Sequence, residues 1–253
     1  MAVGRVAGHI RRETPARGFW YGFIGVIGEL CITAAGVLAL FAFWQVYWTS
    51  FEVEAPRQEK ITAFEKENAP TKNQGVEEFS EPPPFAIDTP DGEIYGLLHF
   101  PTWDWMKTPL AQGTTDYVLD QGFAGHYDET AQPGGVGNFS VAGHRLTQGN
   151  NFQRVEELKE GDPVVVNLKD YYLTYRVVRT QIVAADDPDN IRVIAPVIDD
   201  ISFNKTPTER WMTMTTCHPM WNNHERFIVH LKYESWTPKD KGVPPALVDQ
   251  PAS

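Results

Sequence analysis

Cys217 stands in the stretch Thr213-Met214-Thr215-Thr216-Cys217-His218-Pro219, nine residues ahead of Arg226 in Glu225-Arg226-Phe227-Ile228-Val229. His144 lies 73 residues upstream of the cysteine, in Val141-Ala142-Gly143-His144-Arg145. A thiol, an imidazole and a guanidinium are the groups that acyl transfer through a thioester needs. The cysteine supplies the nucleophile and the histidine moves protons on and off the leaving and entering groups. The planar fork of an arginine donates to an oxyanion or to substrate carbonyls. Arg145 and Arg210 are further candidates for that clamp, and backbone N–H groups near Cys217 and His218 could complete an oxyanion hole. The chain has two cysteines, and the other, Cys31, sits in an apolar run, so no disulfide framework is expected and Cys217 is the one thiol of the soluble part.

A metal is the competing use of these side chains. His218, His224 and His230 crowd around Cys217, but Cys217 and His218 are adjacent and the other gaps are six residues. Zinc sites want short, characteristic pairings. Asp186-Asp187-Pro188-Asp189 lacks the glycine and terminal glutamate of a calcium loop. Neither a metal nor any other cofactor is expected.

The elements that must position this trio read as β. Apolar alternation and turn residues place strands at 92–100, 137–142 (running into His144), 163–168, 171–183, 211–217 and 226–236, with a hairpin about Lys169-Asp170. In the fourth of these, Leu173, Tyr175 and Val177 share one face. Pro219 cannot continue a ladder, so Cys217 is expected at a strand end. One short helix is expected at 151–159, with Phe152, Val155 and Leu158 inward and Gly161 as its stop. Many short strands and few helices predict an all-β domain closed, or nearly closed, into a barrel.

Composition divides the rest. The net charge is −11, with +3 in residues 1–18 and −13 from Glu52 onward, and an acidic body argues against nucleic acid as a partner. Residues 30–48 are free of charged side chains, and as a helix these 19 residues would be about 28 Å long, close to a bilayer core. Phe19, Trp20 and Tyr21 lie towards one end and Trp44, Tyr47 and Trp48 at the other, as in an interfacial belt. The preceding arginines put the N-terminus in the cytoplasm and the remainder outside, with Glu29 at or just inside the cytoplasmic boundary. The expected organisation is a basic cytoplasmic tail over 1–18, a single-pass anchor over 19–51, a solvated extracellular linker over 52–84, a catalytic domain over 85–236 and a loose tail over 237–253. A short helix near 58–68 fits within the linker, whose residues 52–83 hold eight glutamates and four basic residues.

The Thr-Thr-Cys-His-Pro segment, Arg226 at plus nine and Ala142-Gly143-His144-Arg145 upstream together resemble the sortases, cysteine transpeptidases of Gram-positive cell walls, and most of all their class E branch. The order His, Cys, Arg matches, whereas papain-like proteases run Cys, His, Asn. Gly28-Glu29-Leu30 with Ile32-Thr33 is similar to the class E anchor. Met214 stands where the family usually has leucine, a swap that conserves volume. The resemblance covers residues 85–236 and the anchor. It implies an eight-stranded barrel with catalytic Cys217, His144 and Arg226 and with Thr216 in the substrate groove. It also implies a Leu-Pro/Ala-x-Thr-Gly sorting signal cleaved between Thr and Gly, surface proteins bearing that signal as partners, and a peptidoglycan precursor amine as acceptor. A class C pilus polymerase would carry a lid with an Asp-Pro-aromatic motif; Trp103-Asp104-Trp105 lacks the proline, so the chain reads as lidless. The rival outside catalysis is a membrane-tethered binding domain that keeps the barrel and has lost the reaction.

Overall fold

A computed structural model describes residues 15–71 and 74–250; positions 1–14 of the basic tail, 72–73 of the linker and 251–253 of the C-terminal tail lie outside the described residues. The chain divides into two units after Gln45. The first contains helix α1, Pro15–Phe43, and its stretch Trp20–Phe43 is long and apolar enough to cross a membrane. These 24 residues give about 36 Å of helix. Glu29 lies nine residues inside this stretch. The Thr33 hydroxyl donates to the Glu29 carbonyl at 2.9 Å. A five-residue π-helical turn, Trp44–Trp48, follows.

The second unit is the closed barrel. Its strands are β1 Ile94–Phe100, β2 Met106–Gln112, β3 Ala124–His126, β4 Gly137–Ala142, β5 Pro163–Asn167, β6 Tyr171–Ala184, β7 Arg210–His218 and β8 Glu225–Pro238. They are ordered β1-β2-β3-β4-β7-β8-β6-β5, with β5 pairing back to β1. All neighbours are antiparallel except β2–β3 and β4–β7. Strict alternation builds the interior. Leu98 and Phe100, Phe139 and Val141, Val164 and Val166, Leu173 with Tyr175 and Val177, Met212 and Met214, and Phe227 with Val229 and Leu231 all meet in one core. Trp103 stacks on Phe100 at 4.1 Å between centroids and caps that core.

Six strands lie where the pattern places them, and β2 and β3 were not anticipated. β2 carries Pro109, which demotes a run; here β3 pairs with β2 only from Leu110 on, so Pro109 sits where the strand has β1 alone for a neighbour. β3 is three residues long. The helix expected at 151–159 is a single 3-10 turn, Val155–Glu157. Phe152, Val155 and Leu158 are nonetheless buried, because their spacing of three matches the period of a 3-10 turn. Gly161 adopts φ +89° in the turn that leads to β5, where its N–H donates to Val177, and it stops no helix.

The reading of 52–84 as a solvated spacer is also corrected. Helix α2, Thr49–Glu67, packs on the barrel with Arg57 and Ile61 buried. Lys107 of β2 pairs with Glu65 at 2.7 Å, and Arg57 with Glu54 at 2.6 Å. Glu78 then exchanges two backbone bonds with Trp236, Ser235 donates to Glu77 at 2.8 Å, and Tyr171 donates to the Pro83 carbonyl at 2.8 Å. The tail is not loose in its described part: β8 runs to Pro238, and Leu247 is buried against Val165 and Tyr172. Lys239 reaches Asn68 O at 2.6 Å, and its burial lowers its pKa to about 8.

Candidate active site

The three candidate residues come from neighbouring strands at one level. Through β4 and β7, register partners differ by a constant 73, from Gly137↔Arg210 to Ala142↔Thr215, and Gly143 N–H donates to Thr215 O at 3.2 Å. The same register carried past the strand end brings His144 level with Cys217. On the other side β8 pairs with β7 so that Arg226 is the direct partner of Cys217. Alternation then sets the face. Phe139 and Val141, Met212 and Met214, and Phe227 and Val229 point into the core, so the alternate positions that include Cys217 and Arg226 project from the outer wall of the barrel. Cys217, His144 and Arg226 are each partly exposed.

Local structure explains how each is held. A Cβ on Gly143 would sit 2.7 Å from the Phe152 ring and 2.9 Å from Asn151 Nδ2, so only glycine allows the loop to fold back this closely. The returning Phe152 N–H then donates to the His144 carbonyl at 3.0 Å. Asp120 accepts from His144 Nε2 at 2.8 Å, which puts the ring proton on that nitrogen and leaves Nδ1 as the basic one. Arg226 Nη1 donates to the carbonyls of Asn223 (2.6 Å) and Glu225 (3.0 Å), and the rest of its fork has no partner among the described residues.

Tyr127 and Asp120 are additions that the sequence did not point to, since neither lies in a spaced motif. The Tyr127 hydroxyl meets Thr215 Oγ1 at 2.9 Å. Its pKa is raised, chiefly by burial; the Thr215 hydrogen bond and the Arg226 charge oppose the rise, and Cys217 adds to it. The group therefore stays a protonated hydroxyl beside the thiol and the guanidinium. Thr216 shares its face with Met212 and Met214, is 3% exposed, and donates to the Gly143 carbonyl at 2.7 Å. From the core side of β7 it staples the two site strands together. Neither alternative clamp fits: Arg210 is at the opposite end of β7, engaged by Glu81 and the Gly134 carbonyl, and Arg145 is buried against Glu156 and His218.

A buried polar chain underlies this face. Gln181 Nε2 donates to His230 Nε2 at 2.8 Å, so the His230 proton sits on Nδ1 and goes to Thr213 Oγ1 at 2.9 Å. Thr213 donates in turn to Asn138 Oδ1 at 2.7 Å, and Asn138 donates to the carbonyls of Val193 and Ala195, at 3.1 Å each. The chain crosses β6, β8, β7 and β4 and pins the β6–β7 connection. Burial lowers the pKa of His230 to about 4, which keeps it neutral. No group of three or more His, Cys, Asp or Glu side chains among the described residues is arranged to hold a metal.

The sortase domain family matches residues 98–234. Sortase SrtE1 of Streptomyces coelicolor is 35% identical over 228 residues, which are 88% of this chain and 60% of that protein, so the chain spans three fifths of that relative's length. Sortase SrtE2 of the same organism is 27% identical over 211 residues, 81% of this chain and 80% of that protein. Among solved structures, the SrtA sortase of Actinomyces oris superposes with a TM-score of 0.63 at 35% identity, over 70% of this chain and 99% of that one. A crystal structure of sortase E1 from Streptomyces coelicolor with a tripeptide in its active site gives 0.54 at 39% identity, over 62% and 97%. The chain belongs to the sortase family of cysteine transpeptidases, with class E enzymes among its relatives.

Proposed function

We propose that this sortase cleaves a Leu-Pro/Ala-x-Thr-Gly sorting signal between Thr and Gly and passes the acyl group to an amine of a peptidoglycan precursor. The observation that carries the reading is the shared level of His144, Cys217 and Arg226 on one outer face of β4, β7 and β8. Cys217 gives its thiol proton to His144 Nδ1 as its sulfur attacks the threonine carbonyl, and Arg226 donates to the oxygen as it gains charge. The C–N bond breaks as His144 hands its proton to the departing glycine amine, leaving a thioester. The acceptor amine then attacks, His144 takes its proton, and the C–S bond breaks as that proton returns to sulfur and restores the thiol. The tripeptide in the active site of the Streptomyces coelicolor relative supports a peptide occupant here.

The apolar helix Trp20–Phe43 serves as a single-pass anchor, with the N-terminus cytoplasmic and the barrel outside, where signal-bearing surface proteins and wall precursors meet. The class C reading is disfavoured by Trp103-Asp104-Trp105, which would have to supply a lid: Trp103 is buried in the core and Asp104 pairs with Arg154 at 2.6 Å, so this is the β1–β2 turn.

The test is mass spectrometry of the chain with Leu-Pro-x-Thr-Gly and Leu-Ala-x-Thr-Gly peptides, with and without an amine. An adduct on Cys217, cleavage after Thr and a ligated product are expected, all absent in Cys217→Ala. Cleavage elsewhere, or turnover in the alanine variant, refutes the reading. A folded protein whose Cys217 forms no adduct and resists alkylation returns the non-catalytic binding domain.

A further inference from the structure

Arg145 follows His144 directly, yet it is only 3% exposed. Its Nη1 donates to the carbonyl of Cys217 at 3.3 Å and to Nδ1 of His218 at 2.8 Å, while Nη2 meets Glu156 at 2.6 Å. Ladder geometry shows what that carbonyl would otherwise receive. In a parallel pair, carbonyls of alternate residues on one strand take N–H groups of alternate residues on the other. Thr215 O takes Gly143 N–H, so the next rung would join Cys217 O to the backbone N–H of Arg145. The ladder with β7 has ended by then, at Ala142↔Thr215, and the loop that follows is held instead by the Phe152 N–H on the His144 carbonyl. The guanidinium of Arg145 supplies the missing donor from its side chain.

We propose that Arg145 is a positioning residue for the nucleophile, its side chain standing in for the last rung between β4 and β7 and holding the Cys217 peptide level with His144. The proposal rests on the reading of Cys217 and His144 as nucleophile and acid–base. Stability alone is a poor reason for the arrangement. Buried ion pairs offset much of their own attraction by desolvation, and Arg145 Nε is buried with no hydrogen-bond partner among the described residues. What the arginine does uniquely is reach three groups at once from the residue after the histidine. A lysine has one ammonium and no fork, so it cannot hold the carbonyl and His218 while pairing with Glu156.

The test compares Arg145→Lys and Glu156→Gln with wild type in the full chain in detergent. Glu156 is half exposed, so its variant keeps the proposal testable if the lysine variant fails to fold. In single-turnover acylation by a sorting-signal peptide, Arg145→Lys is expected to lower the rate tenfold or more with KM within twofold, and Glu156→Gln to fall between it and wild type. The pH profile of Cys217 alkylation by iodoacetamide is expected to be displaced in both. Acylation within twofold of wild type in both variants, a loss that tracks the folded fraction in urea, or alkylation profiles that superimpose would overturn the proposal. If wild type forms no acyl-enzyme but the variants still displace its alkylation profile, the substrate reading fails and the positioning role stands.

Discussion

Replacing Thr213 by valine tests the polar chain beneath the site. The side chain is fully buried, and its hydroxyl accepts from His230 Nδ1–H at 2.9 Å while donating to Asn138 Oδ1 at 2.7 Å. Valine has the same shape and suits a strand, so it opens no cavity and costs nothing in β-propensity. It does leave a buried N–H on His230 and a buried carbonyl oxygen on Asn138, and all three residues are 0% exposed. An orphaned buried group costs about 1–3 kcal/mol, so the pair costs about 2–6 kcal/mol. Urea unfolding followed by tryptophan fluorescence at pH 7.5 should show the midpoint fall with an unchanged m-value. Thr213→Ser keeps the hydroxyl and loses one methyl, about 1 kcal/mol. A valine variant less destabilised than the serine variant would refute the argument, because methyl packing and not hydrogen bonding would then be what Thr213 contributes.

Three further outcomes are expected. Arg226→Lys should lower kcat by about 10²–10³, the usual loss for one oxyanion donor, in the same acylation assay; a change under threefold would remove Arg226 from the reaction. Stability should fall on acidification between about pH 6.5 and 4, because the unfolded chain takes up a proton there that burial denies to His230, whose pKa is lowered to about 4. The contribution is complete above pH 6.5, is lost as pH falls towards 4, and amounts to about 3 kcal/mol for this residue. Urea midpoints at pH 7.5 and 5.0 should differ less in His230→Gln than in wild type, and equal differences would exclude His230. A chain starting at Val46 should fold and keep its activity, whereas one starting at Phe85 loses α2 and the Glu78–Trp236 bridge. Burial of Ile61 alone is worth about 1.5–3 kcal/mol, so equal urea midpoints for the two would contradict the packing described.

How much could be read in the sequence depended on where the physical pattern was strong. β7 announces itself by Met212 and Met214 alternating with Thr213 and Thr215 and by the stop at Pro219, and β6 and β8 by long alternating runs. The three candidate residues sit at the ends of such strands, which is why the register brings them to one level. α2 was hidden by its charges. Glutamates are ordinarily solvated, but Glu65 of α2 pairs with Lys107 and, beyond the helix, Glu77 accepts from Ser235, and no local pattern encodes partners so distant. Tyr127 was hidden for the same reason, because its partner Thr215 is 88 residues away. The face that Thr216 takes was legible in the alternation: one residue from Cys217 on a strand means the opposite face.

The spacing between the candidate residues has a structural meaning of its own. The 73 residues from His144 to Cys217 are the β4–β7 register, and the nine from Cys217 to Arg226 are one tight return across an antiparallel pair. The chain between β4 and β7 can lengthen without moving the trio, since register is held by the ladder and by the Thr216–Gly143 and Arg145–Cys217 bonds at its end. A one-residue slip of β4 against β7 is a different matter. It would set Arg145 or Gly143 level with Cys217 and place Phe139 and Val141 on the outer wall. The apolar alternation that fills the core is therefore also what keeps His144 level with Cys217, and in this wall of the barrel, packing and the proposed chemistry depend on the same register.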